Sequence, residues 1–232
     1  MKIKLQKQNG FSLIELMIAI LIGLIVLAAT IVIYITTIQS SSNTIRSAQL
    51  NQDLGMAMTI MTNDIRRAGY WGGAVAGSDS RTNPFSEFQI HDFGGDADAC
   101  ILYMYDGLDS DSVVDPQEYY GFRVNGNTIE IKSGGSSTVA DCTGGTWVDM
   151  LDSQDIEVTS LTFNSDSSKC KNVTTSEIAL CSALSAPSTG DDIVQVRDVT
   201  IQLSGRAVDD IAIQSSLNNS IRVRNNRVYT QP

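Results

Sequence analysis

A carboxylate near the start of a long apolar segment is the first feature of this sequence that could do chemistry. Glu15 interrupts the apolar run after Gly10, and three lysines and no acid precede that glycine. A carboxylate in apolar surroundings is costly unless a cation pairs with it. Cleavage after Gly10 would remove the lysines and expose one new cation, the amine of Phe11, in the same helix. The pattern therefore predicts a specific use for Glu15.

The order of these features differs from that of a secretory signal peptide. Such a signal has a basic start, an apolar stretch and then a small-residue cleavage site, whereas Gly10 precedes the apolar stretch here. Residues 16–35 have about the length that crosses a bilayer. The simplest alternative is a single-pass anchor in which Glu15 is a tolerated interfacial acid. The lysines predict a cytoplasmic leader, with everything after the helix outside the inner membrane.

An acidic segment offers a second kind of chemistry. Residues 106–118 read DGLDSDSVVDPQE, and hard oxygen ligands at alternate positions suggest calcium. With Glu118 at position twelve of an EF-hand loop, Asp109, Asp111 and Asp115 fall at positions three, five and nine. Position six is a serine instead of the usual glycine, and the first aspartate stands one residue early. The alternative is a solvated acidic turn between two strands.

Cysteine usage predicts two disulfide bonds rather than a metal site. Cys100, Cys142, Cys170 and Cys181 lie on the side predicted to be exported, where disulfides persist. The pairing that we prefer is Cys100–Cys142 and Cys170–Cys181, one of three connectivities. No CxxC occurs and His91 is the only histidine, so zinc is the less favoured interpretation. We assign no role to His91.

The sequence carries no recognisable catalytic set. It has no GxSxG, no HExxH and no glycine-rich phosphate loop followed by lysine. Its many carboxylates leave a glycosidase-like acid pair open, but no motif supports one. We therefore expect a protein that is not an enzyme.

The charge balance excludes some partners. The formal net charge is −10, and it becomes −13 once the first ten residues, with their three lysines, are removed. Binding to nucleic acid needs clustered Lys and Arg, and docking on anionic lipid head groups needs the same. We expect neither nucleic acid nor a lipid surface as the main partner of the exported part.

One long helix must position the amino-terminal chemistry. Beyond the bilayer-length part, apolar residues recur in steps of three and four at Leu50, Leu54, Ala57, Met61, Ile65 and Ala68, which is the helical period. The sequence predicts a helix from about Phe11 to Ala68 that stops at Gly69. Its parts would be a leader over residues 1–10, a transmembrane part over 11–35 and an amphipathic continuation over 36–69.

The remaining residues, 70–232, predict an exported β-rich globular domain. Runs of β-type residues occur at 101–105, 119–124, 128–132, 156–164, 193–203 and 220–228. Asn125-Gly126 between two of these runs predicts a hairpin. We expect an α+β fold in which the long helix packs on a mainly antiparallel sheet.

The amino-terminal segment resembles a known motif. The residues from Gly10 onward, G-F-S-L-I-E-L-M-I-A, resemble the processing and methylation motif of type IV prepilins. In that family a membrane peptidase cleaves after the glycine and methylates the new terminal phenylalanine. The resemblance implies cleavage between Gly10 and Phe11, N-methylation of Phe11, and pairing of Glu15 with the amine of a neighbouring subunit. One such buried ion pair can set the axial register of an assembly.

Further segments narrow the resemblance to PilW-type minor pilins. They are NDIRRAGYWG at 63–72, CILYMYD at 100–106, YYGFRV at 119–124 and IRVRN at 221–225. J-type pseudopilins of type II secretion share the helix and part of the domain. The resemblance implies a pilin-like fold and a low-abundance subunit that helps to prime the filament near its tip.

The implied location is the inner membrane, with a periplasmic carboxy-terminal domain, and then the cell-surface pilus. The implied partners are other minor and major pilins, prepilin peptidase and the inner-membrane assembly machinery. The alternatives are a J-type pseudopilin and a tip adhesin or ligand-binding module. Calcium is the one cofactor that the sequence suggests.

Overall fold

The computed structural model describes residues 10–75, 78–135 and 138–232. Of the leader predicted over residues 1–10, all but Gly10 lies outside the described residues. The chain divides into two compact units, an amino-terminal unit Met1–Arg46 and a carboxy-terminal unit Ser47–Pro232. The domain boundaries predicted from the sequence differ from this division and stay a prediction.

A single α-helix, α1, spans Leu13–Ile65. In the amino-terminal unit its side chains are exposed on all sides from residue 13 to 38. In the carboxy-terminal unit Leu54, Met61 and Ile65 are fully buried, as the spacing of apolar residues predicts.

The helix stops just before a glycine that the local geometry requires. Gly69 has a φ of +76°, which only glycine adopts without strain, and its amide donates to the carbonyl of Met104 at 2.8 Å. A Cβ at this position would also lie 2.7 Å from Nη2 of Arg197. The helix ends at Ile65, three residues before the predicted Ala68, and Gly69 closes the turn that follows it and makes room for an arginine side chain.

Within the described residues, twelve strands form three antiparallel sheets. The first sheet has the order β1-β2-β3-β4-β5, the second β11-β10-β6 and the third β12-β9-β7-β8. Their bounds are β1 Phe88–Phe93, β2 Asp96–Met104, β3 Tyr119–Asn125, β4 Thr128–Lys132, β5 Trp147–Asp149, β6 Ile156–Asn164, β7 Lys169–Asn172, β8 Ile178–Leu180, β9 Asp192–Val196, β10 Asp198–Ala207, β11 Gln214–Arg222 and β12 Arg227–Thr230. A 3-10 helix covers Ser80–Thr82. The prediction of an α+β, pilin-like fold is confirmed.

The predicted hairpin is present. β3 and β4 pair Asn125 with Thr128, and Gly126 between them has a φ of +60°. The two central residues of the turn are therefore Gly126 and Asn127, one position later than the Asn-Gly pair, and glycine at the first central position is typical of a type II′ turn.

Two predicted strands are each two strands. The run at 193–203 divides at Arg197 into β9 of the third sheet and β10 of the second. The run at 220–228 likewise divides into β11 and β12, which belong to different sheets. These predictions were wrong because the alternation of residues along a strand does not mark where the chain leaves one sheet for another.

Strand β2 lies at the centre of the core and is buried on both faces. Ile101 and Tyr103 face the cluster that contains α1, β6 and β10. Cys100, Leu102 and Met104 belong to a second cluster, around Phe85. Successive residues of a strand point to opposite faces, so β2 joins the two clusters.

Candidate functional site

The amino-terminal segment presents its candidate residues on the surface of the unit. Gly10, Phe11 and Glu15 are all exposed. The amide of Ser12 donates to Oε2 of Glu15 at 3.3 Å, and the amide of Leu16 donates to the carbonyl of Ser12 at 3.1 Å. The bond to the Glu15 side chain is one half of a capping box, and the bond from Leu16 is an ordinary helical one. Glu15 therefore has a local role in starting α1, which the sequence analysis missed.

The part of α1 that follows is apolar all round. Its large side chains, from Leu13 to Ile38, are about half exposed or more. A helix with an apolar surface on every side belongs in lipid or among other apolar helices. It is also long and apolar enough to cross a membrane. The carboxylate of Glu15 therefore lies at the start of an apolar surface that is stable only in lipid or against other apolar helices.

The carboxy-terminal end of α1 carries a second carboxylate with several partners. Asp64 accepts hydrogen bonds from the hydroxyls of Tyr103 and Tyr105, at 2.5 and 2.8 Å. Nη1 of Arg67 lies 3.6 Å from its Oδ1. We call these four residues the helix-end cluster. Its members come from two of the segments that resemble PilW-type minor pilins.

Aromatic stacking extends the helix-end cluster to the third segment. The guanidinium carbon of Arg67 lies 4.1 Å from the centre of the Tyr105 ring, and Nη1 donates to the Tyr105 hydroxyl at 3.1 Å. On the first sheet, Tyr105 stacks on Tyr120 with ring centres 3.8 Å apart and planes 4° apart. Cation–π and stacking contacts of this kind each add about 0.5–1.5 kcal/mol.

The environment of these tyrosines raises their pKa values. Burial raises the pKa of the Tyr103 hydroxyl well above its usual range, and the neighbouring carboxylate of Asp64 raises it further. The same two causes, in the same order, raise the pKa of Tyr105. Both hydroxyls are therefore protonated donors at physiological pH, as their bonds to Asp64 require.

The fourth segment closes the helix end from the carboxy-terminal part of the chain. Nδ2 of Asn225 donates to the carbonyls of Arg67 and Ala68, at 3.3 and 3.2 Å. The amide of Arg224 donates to the carbonyl of Arg66 at 3.0 Å. The last carbonyls of a helix have no partner within it, so this segment satisfies them. All four resembling segments thus meet at one place.

The acidic segment is held in place by backbone amides that donate to two of its carboxylates. Asp106 accepts from the amides of Gly72, Gly73 and Ser110 at 3.0–3.2 Å. Glu118 accepts from the amides of Gly107 and Leu108 through Oε1, and from that of Asp115 through Oε2. Both carboxylates are buried. They fix the loop, which is a structural role that the sequence analysis did not assign.

The candidate calcium ligands are only partly brought together. Oxygen atoms of Asp106, Asp109 and Glu118 lie within 4.8 Å of one another. Asp111 and Asp115 are outside this group, and Asp106, which the EF-hand register left out, is inside it. Calcium stays a prediction, with Asp106 in place of two of the proposed ligands.

The cysteines form the disulfide bonds Cys100–Cys142 and Cys170–Cys181. The first links β2 to a loop beside the Phe85 cluster, and the second lies at β7 in the third sheet. Nε2 of His91 lies 2.7 Å from the carbonyl of Val139. The histidine therefore has a structural contact, and no sequence motif around His91 predicted it.

Sequence reasoning missed the helix-end cluster, although a signal for it was present. Tyr103 and Tyr105 stand two residues apart at the end of β2 and so share a face. Asp64 and Arg67 stand three residues apart and share a face of α1. Only the packing of that strand on that helix places the two pairs together.

Two family models match the chain. One, described as prepilin peptidase-dependent protein B, matches residues 43–223, and the other, the prokaryotic N-terminal methylation motif, matches residues 5–31. A search of curated proteins and a search of solved structures each found no match.

Proposed function

Because the chain belongs to the prepilin peptidase-dependent protein B family, we propose that it is a minor pilin of a type IV pilus. The two family matches identify a pilin-like protein that prepilin peptidase processes. Such a protein is anchored in a membrane by its apolar helix and interacts with pilins and with components of the pilus assembly machinery. Its families are structural, not enzymatic.

The observation that carries the proposal is the arrangement of Gly10, Phe11 and Glu15 before an apolar helix. We place the cleavage after Gly10 and the methyl group on the new amine of Phe11. The exposed position of both residues supports access by a peptidase. The exported orientation is supported by the lysines of the leader and by the two disulfides, which persist outside the cytoplasm.

Glu15 is proposed to set the register of the subunit in the filament. Its Oε2 caps the helix, and no cation among the described residues pairs with it. An apolar helix bundle would leave that charge costly without a partner. The amine of Phe11 in a neighbouring subunit supplies the missing cation. It reaches the carboxylate of Glu15 at one axial stagger of the two helices only.

The finer assignment is a PilW-like subunit that takes part in priming the filament and lies near its tip. The four resembling segments support it because they meet at the helix end and form a single bonded cluster. Its partners are proposed to be other minor pilins, major pilins and the inner-membrane assembly machinery.

Cleavage can be tested on the full chain expressed with a prepilin peptidase. We expect mass spectrometry to find a product that begins at Phe11 and carries one added methyl group. Gly10→Leu should leave the uncut precursor in the membrane. Gly23→Leu is the matched control, because a side chain there meets nothing within 4 Å, and it should be cleaved normally. Mature-sized protein from the Gly10→Leu variant would place the cleavage elsewhere.

A deletion strain separates a pilus from a secretion pseudopilus. If the proposal is right, cells that lack this chain lose surface pili by electron microscopy, and type II secretion of exoproteins is unchanged. Normal piliation together with a secretion defect would assign the chain to the pseudopilus.

A further inference from the structure

A polar pocket in the carboxy-terminal unit lies between strands of different sheets. Its volume is about 110 Å³, and its wall includes Ser86, Ser165, Gln195, Arg197 and Arg227. β1 borders it from the first sheet, and β9 and β12 border it from the third. One water molecule needs about 10–15 Å³, so a small ion of several atoms fits. We call it the Arg197 pocket.

Arg197 is the unusual member of this wall. It stands where the chain leaves β9 for β10, and only 2% of its surface is exposed. Nη1 donates to the carbonyl of Ser86 at 3.2 Å, and Nη2 donates to the carbonyl of Asn225 at 3.1 Å. Its Nε is buried and has no hydrogen-bond partner within the described part of the chain. A buried donor without a partner is costly.

The positive charge of Arg197 is also unbalanced. Among the described residues no carboxylate forms an ion pair with Arg197 or Arg227. The nearby acids are already engaged, Asp192 with Arg81 at 3.2 Å and Asp198 with Arg222 at 3.0 Å. Burial first, and the like charge of Arg227 second, lower the pKa of Arg197 to about 10.

This imbalance stands out against the rest of the chain. The formal net charge is −10, so carboxylates are plentiful, yet none of those described neutralises these two arginines. A buried cation is retained at a cost unless a counter-charge compensates it. The guanidinium carbon of Arg197 lies 5.2 Å from the centre of the Phe88 ring, and an anion bound in the pocket would add the counter-charge that the described residues do not supply.

We propose that the Arg197 pocket binds a small oxyanion, a phosphate or carboxylate group. The guanidinium group of Arg197, which lines the pocket, supplies charged donors, and guanidinium groups match the geometry of such anions. The hydroxyls of Ser86 and Ser165 and the amide of Gln195 supply neutral donors around it. Arg227, which is exposed, supplies the second charge at the rim. A free ion and an acidic side chain of another protein present the same oxygens, and the test below distinguishes these two sources.

Calorimetric titration of the full chain in detergent with inorganic phosphate tests the proposal. We expect saturable binding and a rise in the melting temperature with phosphate concentration. Arg227→Gln removes a charge at the rim of the pocket and leaves the buried side chains in place. It should weaken binding about tenfold or more, because it removes a charge-assisted hydrogen bond. Arg197→Gln should abolish binding. The matched control is Arg224→Gln, an exposed arginine outside the pocket, which should bind as the unaltered chain does.

A parallel titration with N-acetyl-aspartate amide distinguishes the two sources. Tighter binding of phosphate points to a free ion, and tighter binding of the carboxylate points to an aspartate side chain of a partner; either supports an oxyanion site. The absence of saturable binding of both at tens of millimolar overturns the proposal. Unchanged phosphate binding in the Arg227→Gln variant, with its fold intact by circular dichroism, overturns it as well.

Discussion

Each end of α1 carries a carboxylate, and the two differ in what surrounds them. Asp64 accepts from two tyrosine hydroxyls, at 2.5 and 2.8 Å, lies near Arg67, and has only 18% of its side chain exposed. Glu15 is exposed, and the contact described for it is one backbone amide at 3.3 Å. Asp64 therefore has hydrogen-bond donors and a nearby cation within its own chain, whereas Glu15 has no cation beside it among the described residues.

This difference indicates where each residue acts. A carboxylate whose donors all come from its own unit contributes to the stability of that unit. A carboxylate at the start of an exposed apolar helix gains its counter-charge only when another molecule arrives. Substitution at Asp64 should therefore change folding, and substitution at Glu15 should change assembly.

The largest effect is expected from removing the charge of Glu15. Glu15→Gln keeps the capping box, because glutamine also accepts the Ser12 amide, but it has no charge to pair with an amine. We expect this variant to be inserted and cleaved, to melt like the unaltered chain, and to fail in pilus assembly. Glu15→Ala should fail in the same way. Pull-down of neighbouring pilins and counts of surface pili measure the outcome.

Normal piliation with Glu15→Gln but not with Glu15→Ala would contradict the proposed difference between Glu15 and Asp64. It would mean that Glu15 acts within its own helix, as Asp64 does within its unit, through the cap and not through its charge.

A smaller effect is expected at Asp64. Asp64→Asn weakens charge-assisted hydrogen bonds worth about 1.5–3 kcal/mol, so the melting temperature should fall by about 3–12 °C. Cleavage and assembly should persist at permissive temperature. Asp53→Asn is the matched control, since Asp53 lies on the same helix and has no hydrogen bond or ion pair with a described residue; it should melt normally. Differential scanning calorimetry in detergent gives both values. Loss of assembly at full stability would instead assign Asp64 to an interface.

The pH dependence of stability tests how much Tyr103 and Tyr105 of the helix-end cluster contribute to the folded state. Tyr103 and Tyr105 have raised pKa values in the folded chain, so they stabilise it fully below their ordinary pKa of 10.0. Above that pH the unfolded chain ionises first, and the stabilisation is lost. We expect the free energy of unfolding to fall by about 1 kcal/mol per tyrosine between pH 8 and about pH 10.5.

Denaturant titration at both pH values measures this loss. The double variant Tyr103→Phe and Tyr105→Phe starts from a lower stability but should lose less of it on going to high pH. An equal loss in the variant and in the unaltered chain would assign the effect to other groups.

The smallest effect concerns calcium. Ca²⁺ takes six to eight oxygen ligands, whereas Asp106, Asp109 and Glu118 offer three carboxylates, two of which already accept several amides. We expect millimolar calcium to raise the melting temperature by only about 1–2 °C and Asp109→Asn to abolish the shift. No heat in a calorimetric titration at millimolar metal would remove calcium as a ligand. A large shift would show that this unit, too, depends on an external partner.

The sequence predicted those parts of the molecule that depend on residues close together in the chain. The helical period from Leu50, the turn at Gly69 and the hairpin at Gly126 are set by local backbone preferences, and the structure has all three, although the helix itself ends at Ile65 and not at Ala68. The runs at 128–132 and 156–164 are strands with the predicted bounds.

The rest depends on contacts between distant residues. The helix-end cluster joins residues about forty positions apart, and nothing in the spacing of Asp64 or Tyr105 announces the other. Arg197 reads as one polar residue within a β-type run, and its burial follows only from the change of sheet at that point. Four strands were missed because β5 and β8 have only three residues each and β1 and β7 mix apolar with polar residues.

The contact of Asn225 with the end of α1 has a consequence for the order of events during export. The side-chain amide of Asn225 donates to the carbonyls of Arg67 and Ala68, which lie 158 and 157 positions earlier in the chain. Closing a loop of that size is slow and comes late in folding. In the export that we propose, the carbonyls of Arg67 and Ala68 receive the side-chain donor of Asn225 only after residues near 225 have crossed the membrane. The contact at the end of the helix would then be completed after nearly the whole domain has been translocated.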